Sequence, residues 1–129
     1  MKNKKIGKII RPANVKPEPH EIYAAEFLAN LGYDIEFLEQ NYTKGATNTD
    51  IVMNGLLWEI KSPHGEGKHT LRHAFYKASK QSKNIIIDLR KMKMSDDRCI
   101  SIIQHLLNLT KSVRKLIVIT KTHKLLDIK

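Results

Sequence analysis

Asn54-Gly55, set between Thr49-Asp50-Ile51-Val52-Met53 and Leu56-Leu57-Trp58-Glu59-Ile60-Lys61, constrains this chain more than any other feature. Two such residues between apolar runs close a β-hairpin through a type I′ turn, because both central positions need a positive φ. The turn dictates a register in which Met53 faces Leu56, Val52 faces Leu57, Ile51 faces Trp58 and Asp50 faces Glu59. Carboxylates opposed in this way lie about 5 Å apart at Cβ and repel unless something positive lies between them, a need that a divalent cation meets. Side chains alternate along a strand, so Lys61 shares the face of Glu59 and adds an ammonium to the pair. That face continues as Val52 and Leu57, while the other carries Ile51, Met53, Leu56, Trp58 and Ile60. A hairpin apolar on both sides belongs in the middle of a layered α/β domain with both faces covered. The competing picture is a solvated strand end where Lys61 makes an ordinary surface ion pair. It explains neither the Asn-Gly register nor the two-sided apolarity.

Lysine and arginine outnumber aspartate and glutamate 23 to 13, giving a formal charge of +10. Such an excess attracts polyanions, nucleic acid first among them. At 129 residues the chain is long enough for one hydrophobic core but not two. The single Cys99 excludes an internal disulfide framework and a cysteine-based zinc site. No apolar run reaches membrane-spanning length, and Lys8 and Arg11 interrupt the stretch after the basic start where a signal peptide would need its apolar segment.

Residues 1–17 read as a basic leader or linker, since Pro12, Pro17 and Pro19 oppose regular structure, and 18–129 as the folded domain. Ala24, Ala25, Leu28 and Leu31 recur at the helical period and predict a helix over 18–31 that ends at Gly32. A strand follows over 33–38, then a polar loop over 40–48, the hairpin, and a flexible connection over 62–68 beside the acidic cluster. Leu71, Ala74, Phe75 and Ala78 give the apolar stripe of a helix over 69–82. A strand over 84–89 precedes a helix capped by Ser95, with Ile100, Ile103, Leu106 and Leu107 inward. Strands over 115–120 and 124–128 close the order α-β-β-β-α-β-α-β-β.

This order, with Asp50 and then Glu59-x-Lys61 on a strand meander between two helices, resembles the PD-(D/E)XK nuclease superfamily, over about residues 18–89. Thr49 stands where the strict motif has proline. Within the superfamily, His20-Glu21, Ala24-Ala25, Leu28, Leu31-Gly32-Tyr33, Trp58-Glu59-Ile60-Lys61-Ser62-Pro63 and Lys80-Gln81 look most like the C-terminal tRNase toxin domains of contact-dependent growth inhibition proteins. The resemblance implies a restriction-endonuclease-like core, a central mixed sheet flanked by helices, with Asp50, Glu59 and Lys61 at the catalytic positions. Glu21 lies on the apolar side of the first helix, where the superfamily often supplies a further glutamate; Glu26 is the alternative. An all-oxygen ligand set from Asp50, Glu59 and the Ile60 carbonyl suits magnesium or manganese better than zinc. Lys61 would orient the attacking water. Gln81, on a helix line with Thr70 and Lys77, resembles a polar residue often placed near the metal; Thr70, Lys77, Lys80 and Gln81 are the expected substrate contacts.

The implied substrate is nucleic acid, tRNA before DNA, and the implied partner a small acidic immunity protein, with no membrane involved. Such a toxin acts in the bacterial cytoplasm after delivery from a larger secreted or surface protein. The rival readings are a DNA endonuclease of the same superfamily and a nucleic-acid-binding module. His69 and His73 stand at i, i+4 with His64 and Glu66 nearby, yet no HExxH motif is present, so these histidines read as neighbours of an anionic-substrate groove rather than zinc ligands. With Trp58 expected inside, the candidate stacking aromatics are Tyr23, Tyr42 and Tyr76.

Overall fold

The Asn-Gly turn forms as its residue types require: in the computed structural model Asn54 has φ 55° and Gly55 φ 74°. The structure describes residues 5–40 and 48–129, so most of the polar loop expected over 40–48, Tyr42 included, lies outside the described residues. The hairpin joins β3 (Ile51–Met53) to β4 (Leu56–Lys61) with Met53 on Leu56, Val52 on Leu57 and Ile51 on Trp58. The Trp58 indole N–H donates back to the Met53 carbonyl at 2.9 Å, tying the strand ends across the turn.

Around this hairpin the described residues build a seven-stranded mixed sheet whose spatial order follows the chain. β1 (Ile9–Ile10) pairs parallel with β2 (Ile35–Phe37), which runs antiparallel to β3. β4, β5 (Asn84–Asp88) and β6 (Lys115–Ile119) are mutually parallel, and β7 (Leu125–Asp127) returns antiparallel on β6. Each parallel step needs a crossover, supplied by α1 (Pro19–Asn30), α2 (Lys68–Gln81) and α3 (Asp96–Leu109). The Ile-rich runs of β5 and β6 are buried on both faces. Alternation divides them. Ile85, Ile87, Leu116 and Val118 join α2 and α3 in one core, while Ile86, Ile117 and Ile119 join α1, Trp58 and Ile60 in the other.

Local chemistry sets the helix ends. Pro19 occupies the first turn of α1, where its missing N–H costs nothing. Gly32, at φ 103°, ends that helix: its N–H donates to the Ala29 carbonyl and the Tyr33 N–H to that of Leu28, the paired bonds of a Schellman cap. Ser95 caps α3 by accepting from the Arg98 N–H.

Two expectations give way. The basic opening segment is not irregular throughout: Ile9–Ile10 add an edge strand, the Gly7 N–H donates to the Ala29 carbonyl at 2.7 Å, and Val15 is buried against the α1 core. The prolines left room for this because Pro12 and Pro17 lie beyond the two-residue strand. The hairpin is also not covered on both faces along its length, since Leu57 is 50% exposed and Val52 only half-buried. The face of Ile51, Met53 and Trp58 is closed, and the other opens toward solvent near the turn.

Candidate functional site

Beyond Ile51 the ladder slips, and the slip makes the site. The Asp50 N–H donates to the Trp58 carbonyl at 3.0 Å, although Trp58 is already the partner of Ile51. Two residues on one strand thus address one on the other, the count of a β-bulge, a device that re-aims a side chain. Asp50 and Glu59 therefore meet through their carboxyl groups and not as a regular ladder pair, which corrects the simple register. The Asp50 Oδ2 accepts the Ile60 N–H at 2.8 Å, and the Leu38 N–H donates to the Asp50 carbonyl at 3.0 Å, so the residue is anchored on both sides.

Three carboxyl groups converge here. Glu21, in the first turn of α1, accepts the Glu18 N–H through Oε1 at 2.9 Å and hydrogen-bonds the Asp50 carboxyl, which also stands beside Glu59. Burial, the proton shared with Glu21 and the charge of Glu59 push the Asp50 carboxyl from its ordinary 3.8 up to about 9, against the opposing pull of the Ile60 N–H. Burial also raises Glu59, and Lys61 pulls it back through an ion pair of 3.2 Å between Nζ and Oε2. Among the described residues, no hydrogen-bond partner reaches the other oxygen, the buried Glu59 Oε1, and none reaches the buried Ser62 Oγ. Buried polar atoms are rarely left unpaired in native proteins, so this cluster is short of positive charge and of donors.

The remaining predicted residues divide. Glu26, the alternative to Glu21, is exposed, whereas Glu21 reaches Asp50. Thr70 and Lys77 line a groove of about 390 Å³ together with Lys61. Gln81 instead accepts the Asn48 N–H at 3.2 Å, bracing the segment that leads into Asp50, and Lys80 is exposed outside that groove. Gln40 spans the other side of the same segment, donating to the carbonyls of Leu38 and Thr49.

A second polar cluster at the strand ends escaped the sequence reading. Asp88, 1% exposed, closes β5 and takes a bidentate pair from Arg90, Nε to Oδ1 at 2.9 Å and Nη2 to Oδ2 at 2.7 Å. The Arg90 guanidinium stacks 3.9 Å over the Tyr23 ring and 4.9 Å from that of Phe27, tying β5 to α1. Burial alone would lower the guanidinium pKa, but the hydrogen bonds and charge of Asp88 hold it raised. The only hint in the sequence was a carboxylate ending an otherwise apolar run, Asn84-Ile85-Ile86-Ile87-Asp88.

Fold and site together define a basic α/β domain with an acid-and-lysine cluster where the central strands end. The chain belongs to the contact-dependent growth inhibition CdiA C-terminal domain family, whose model matches residues 47–125, and is thus a C-terminal toxin domain of interbacterial growth inhibition. It is similar in fold to a solved chain of the CdiA-CT/CdiI toxin and immunity complex from Burkholderia pseudomallei, with a TM-score of 0.71 and 23% identity over 95% of this chain and 99% of that one. No curated protein matches the chain. Among the described residues, no helix is long and apolar enough to cross a membrane.

Proposed function

We propose that this domain is a metal-dependent nuclease of the PD-(D/E)XK type that hydrolyses phosphodiester bonds, those of tRNA ahead of DNA. One observation carries the reading: Glu21, Asp50 and Glu59 crowd together, with Glu59 Oε1 left without a partner among the described residues and Lys61 the neighbouring cation. A divalent ion would relieve all of these at once. Among the described residues no three or more His, Cys, Asp or Glu side chains form a ready metal cage. Magnesium, however, is commonly held by only one or two carboxylates and keeps several waters. Asp50, Glu59 and the Ile60 carbonyl would hold the ion. Bound there, it supplies an acidified water and charge stabilisation at the phosphate.

The chain's own groups do the rest. Lys61, held on Glu59 Oε2, presents its ammonium to the attacking water and to the charge that develops on the phosphoryl oxygens. Glu21, anchored by the Glu18 N–H, sets the orientation of Asp50 and can accept a proton from the water. The formal charge of +10 supports a polyanionic substrate. The likeness of the Glu59-Ile60-Lys61-Ser62-Pro63 segment to tRNase toxin domains favours tRNA. The Burkholderia relative was solved with its immunity protein, and we extend to this chain an acidic immunity partner and delivery from a larger protein into the target cell's cytoplasm.

Total tRNA and plasmid DNA, each incubated with magnesium or with EDTA, test the reading. The expected result is magnesium-dependent cleavage of tRNA by the wild-type domain and its loss in Asp50→Ala, Glu59→Gln and Lys61→Ala, with fold and polyanion binding retained. Activity surviving in all three variants overturns the site. Cleavage of plasmid alone moves the assignment to a DNA endonuclease, and binding without cleavage to a binding module.

A further inference from the structure

We propose that one face of α2 is a track that leads single-stranded nucleic acid into the site, with phosphates in a lysine- and histidine-lined groove and an unstacked base on Tyr76. This rests on the nuclease reading for its purpose but on separate residues for its evidence. The groove that contains Lys61 is also lined by His64, Thr70, His73, Lys77 and Lys91, and among the described residues no carboxylate lines it. Thr70 and His73 also line an open hollow of about 620 Å³ with His69, Arg72 and Tyr76, so the two depressions adjoin along these residues. Helix geometry explains why they adjoin. His69, His73 and Tyr76 recur at i, i+4, i+7, and Thr70, His73 and Lys77 form the adjoining stripe, so both rows lie side by side on the surface that Leu71, Phe75 and Ala78 leave outside the core.

Tyr76 gives the track its selectivity for single strands. Tyr76 is 38% exposed and its ring meets the fully buried Phe75 edge to face, 5.5 Å between centroids at 77°, so a core residue steadies a side chain that also meets solvent. An aromatic platform of this kind takes any base that has left its stack, and a paired base within a duplex is not free to occupy it. Tyr23 is unsuited to the role because the Arg90 guanidinium lies over its ring. The cations nearer Lys61 neutralise the backbone and carry no base preference. The track therefore favours an unpaired loop or end over a continuous duplex.

The test is fluorescence anisotropy in EDTA, where metal-dependent cleavage is silent, with a labelled short oligouridine and a duplex of equal length. Tyr76→Ala should weaken oligouridine binding roughly tenfold, Tyr76→Phe should restore it, and neither should move duplex binding. Lys77→Ala/Lys91→Ala should lower the slope of log affinity against log salt by about 1.4 on the single strand. Lys111→Ala/Lys115→Ala, at the opposite end of the sheet, should leave it unchanged. A Tyr76→Ala effect below about twofold, or equal slope changes in the two lysine pairs, overturns the track. Wild-type tRNA cleavage with magnesium reads the nuclease assignment separately. Cleavage with unmoved binding sinks the track alone, and the binding signature without cleavage sinks the nuclease reading alone.

Discussion

The Ile60 amide donates to Asp50 Oδ2 at 2.8 Å, so a side-chain oxygen stands beside the hairpin backbone where its regular register has slipped. That bond holds one oxygen of Asp50 against β4 within a cluster shared with Glu21 and Glu59, and it opposes, without overcoming, the burial and like charge that raise the carboxyl to about 9.

A raised carboxyl makes the metal-free protein sensitive to base. The native state holds the Asp50 proton more tightly than the unfolded chain does, so the stabilisation is complete below the ordinary value of 3.8 and is lost as pH climbs through about 9. Thermal unfolding in EDTA should show stability falling across that window, and Asp50→Asn should flatten much of the slope. An unchanged slope in the variant would remove Asp50 as its origin.

Glu21 holds two jobs that conservative replacements separate. Glu21→Gln keeps an oxygen for the Glu18 N–H while deleting the charge beside Asp50, so stability at neutral pH should hold or rise while tRNA cleavage falls. Glu21→Ala loses the cap interaction as well and should cost about 1 kcal/mol. Denaturant melts paired with cleavage assays distinguish the two, and equal melts for both variants would deny the capping role.

Arg90→Ala should be among the more damaging single changes, at about 3–5 kcal/mol, because it strands the buried Asp88 carboxylate. Arg90→Lys should recover little, since an ammonium cannot reproduce the bidentate fork or the stacking on Tyr23. Replacing Asp88 and Arg90 together should cost less than Arg90→Ala alone, a non-additivity that a double-mutant cycle on urea midpoints would read.

Gly7→Ala tests the docking of β1. A Cβ at residue 7 would fall 1.9 Å from the Tyr33 carbonyl oxygen, a backbone atom with little freedom to withdraw. The expected loss is about 1–3 kcal/mol, with faster proteolysis confined to the first residues and the Glu59–Lys61 pair undisturbed. Limited proteolysis followed by mass spectrometry would show it.

Legibility follows how local each determinant is. The hairpin register from Met53–Leu56 to Ile51–Trp58 was readable because two residues with obligatory positive φ set it. The α2 stripe and the Ser95 cap were readable from periodicity and from a single hydroxyl. The slip at Asp50 was not, since it depends on how Leu38 and Gln40, just past the end of β2, hold the segment that leads into β3. β1 has two residues and no period, and its place depends on the close approach of Gly7 to Tyr33, which is distant in the chain. Arg90 needed Tyr23 and Phe27, more than sixty positions away, to acquire a role.

The edge strand also governs how the protein may be cut. A fragment starting at Glu18 would strip the parallel partner from Ile35 and Glu36 and remove Val15 from the α1 core. An unpaired backbone rim beside newly bared aliphatic surface is a template for other chains, so such a truncation should trade a monodisperse protein for self-association even with Glu21, Asp50 and Glu59 all intact.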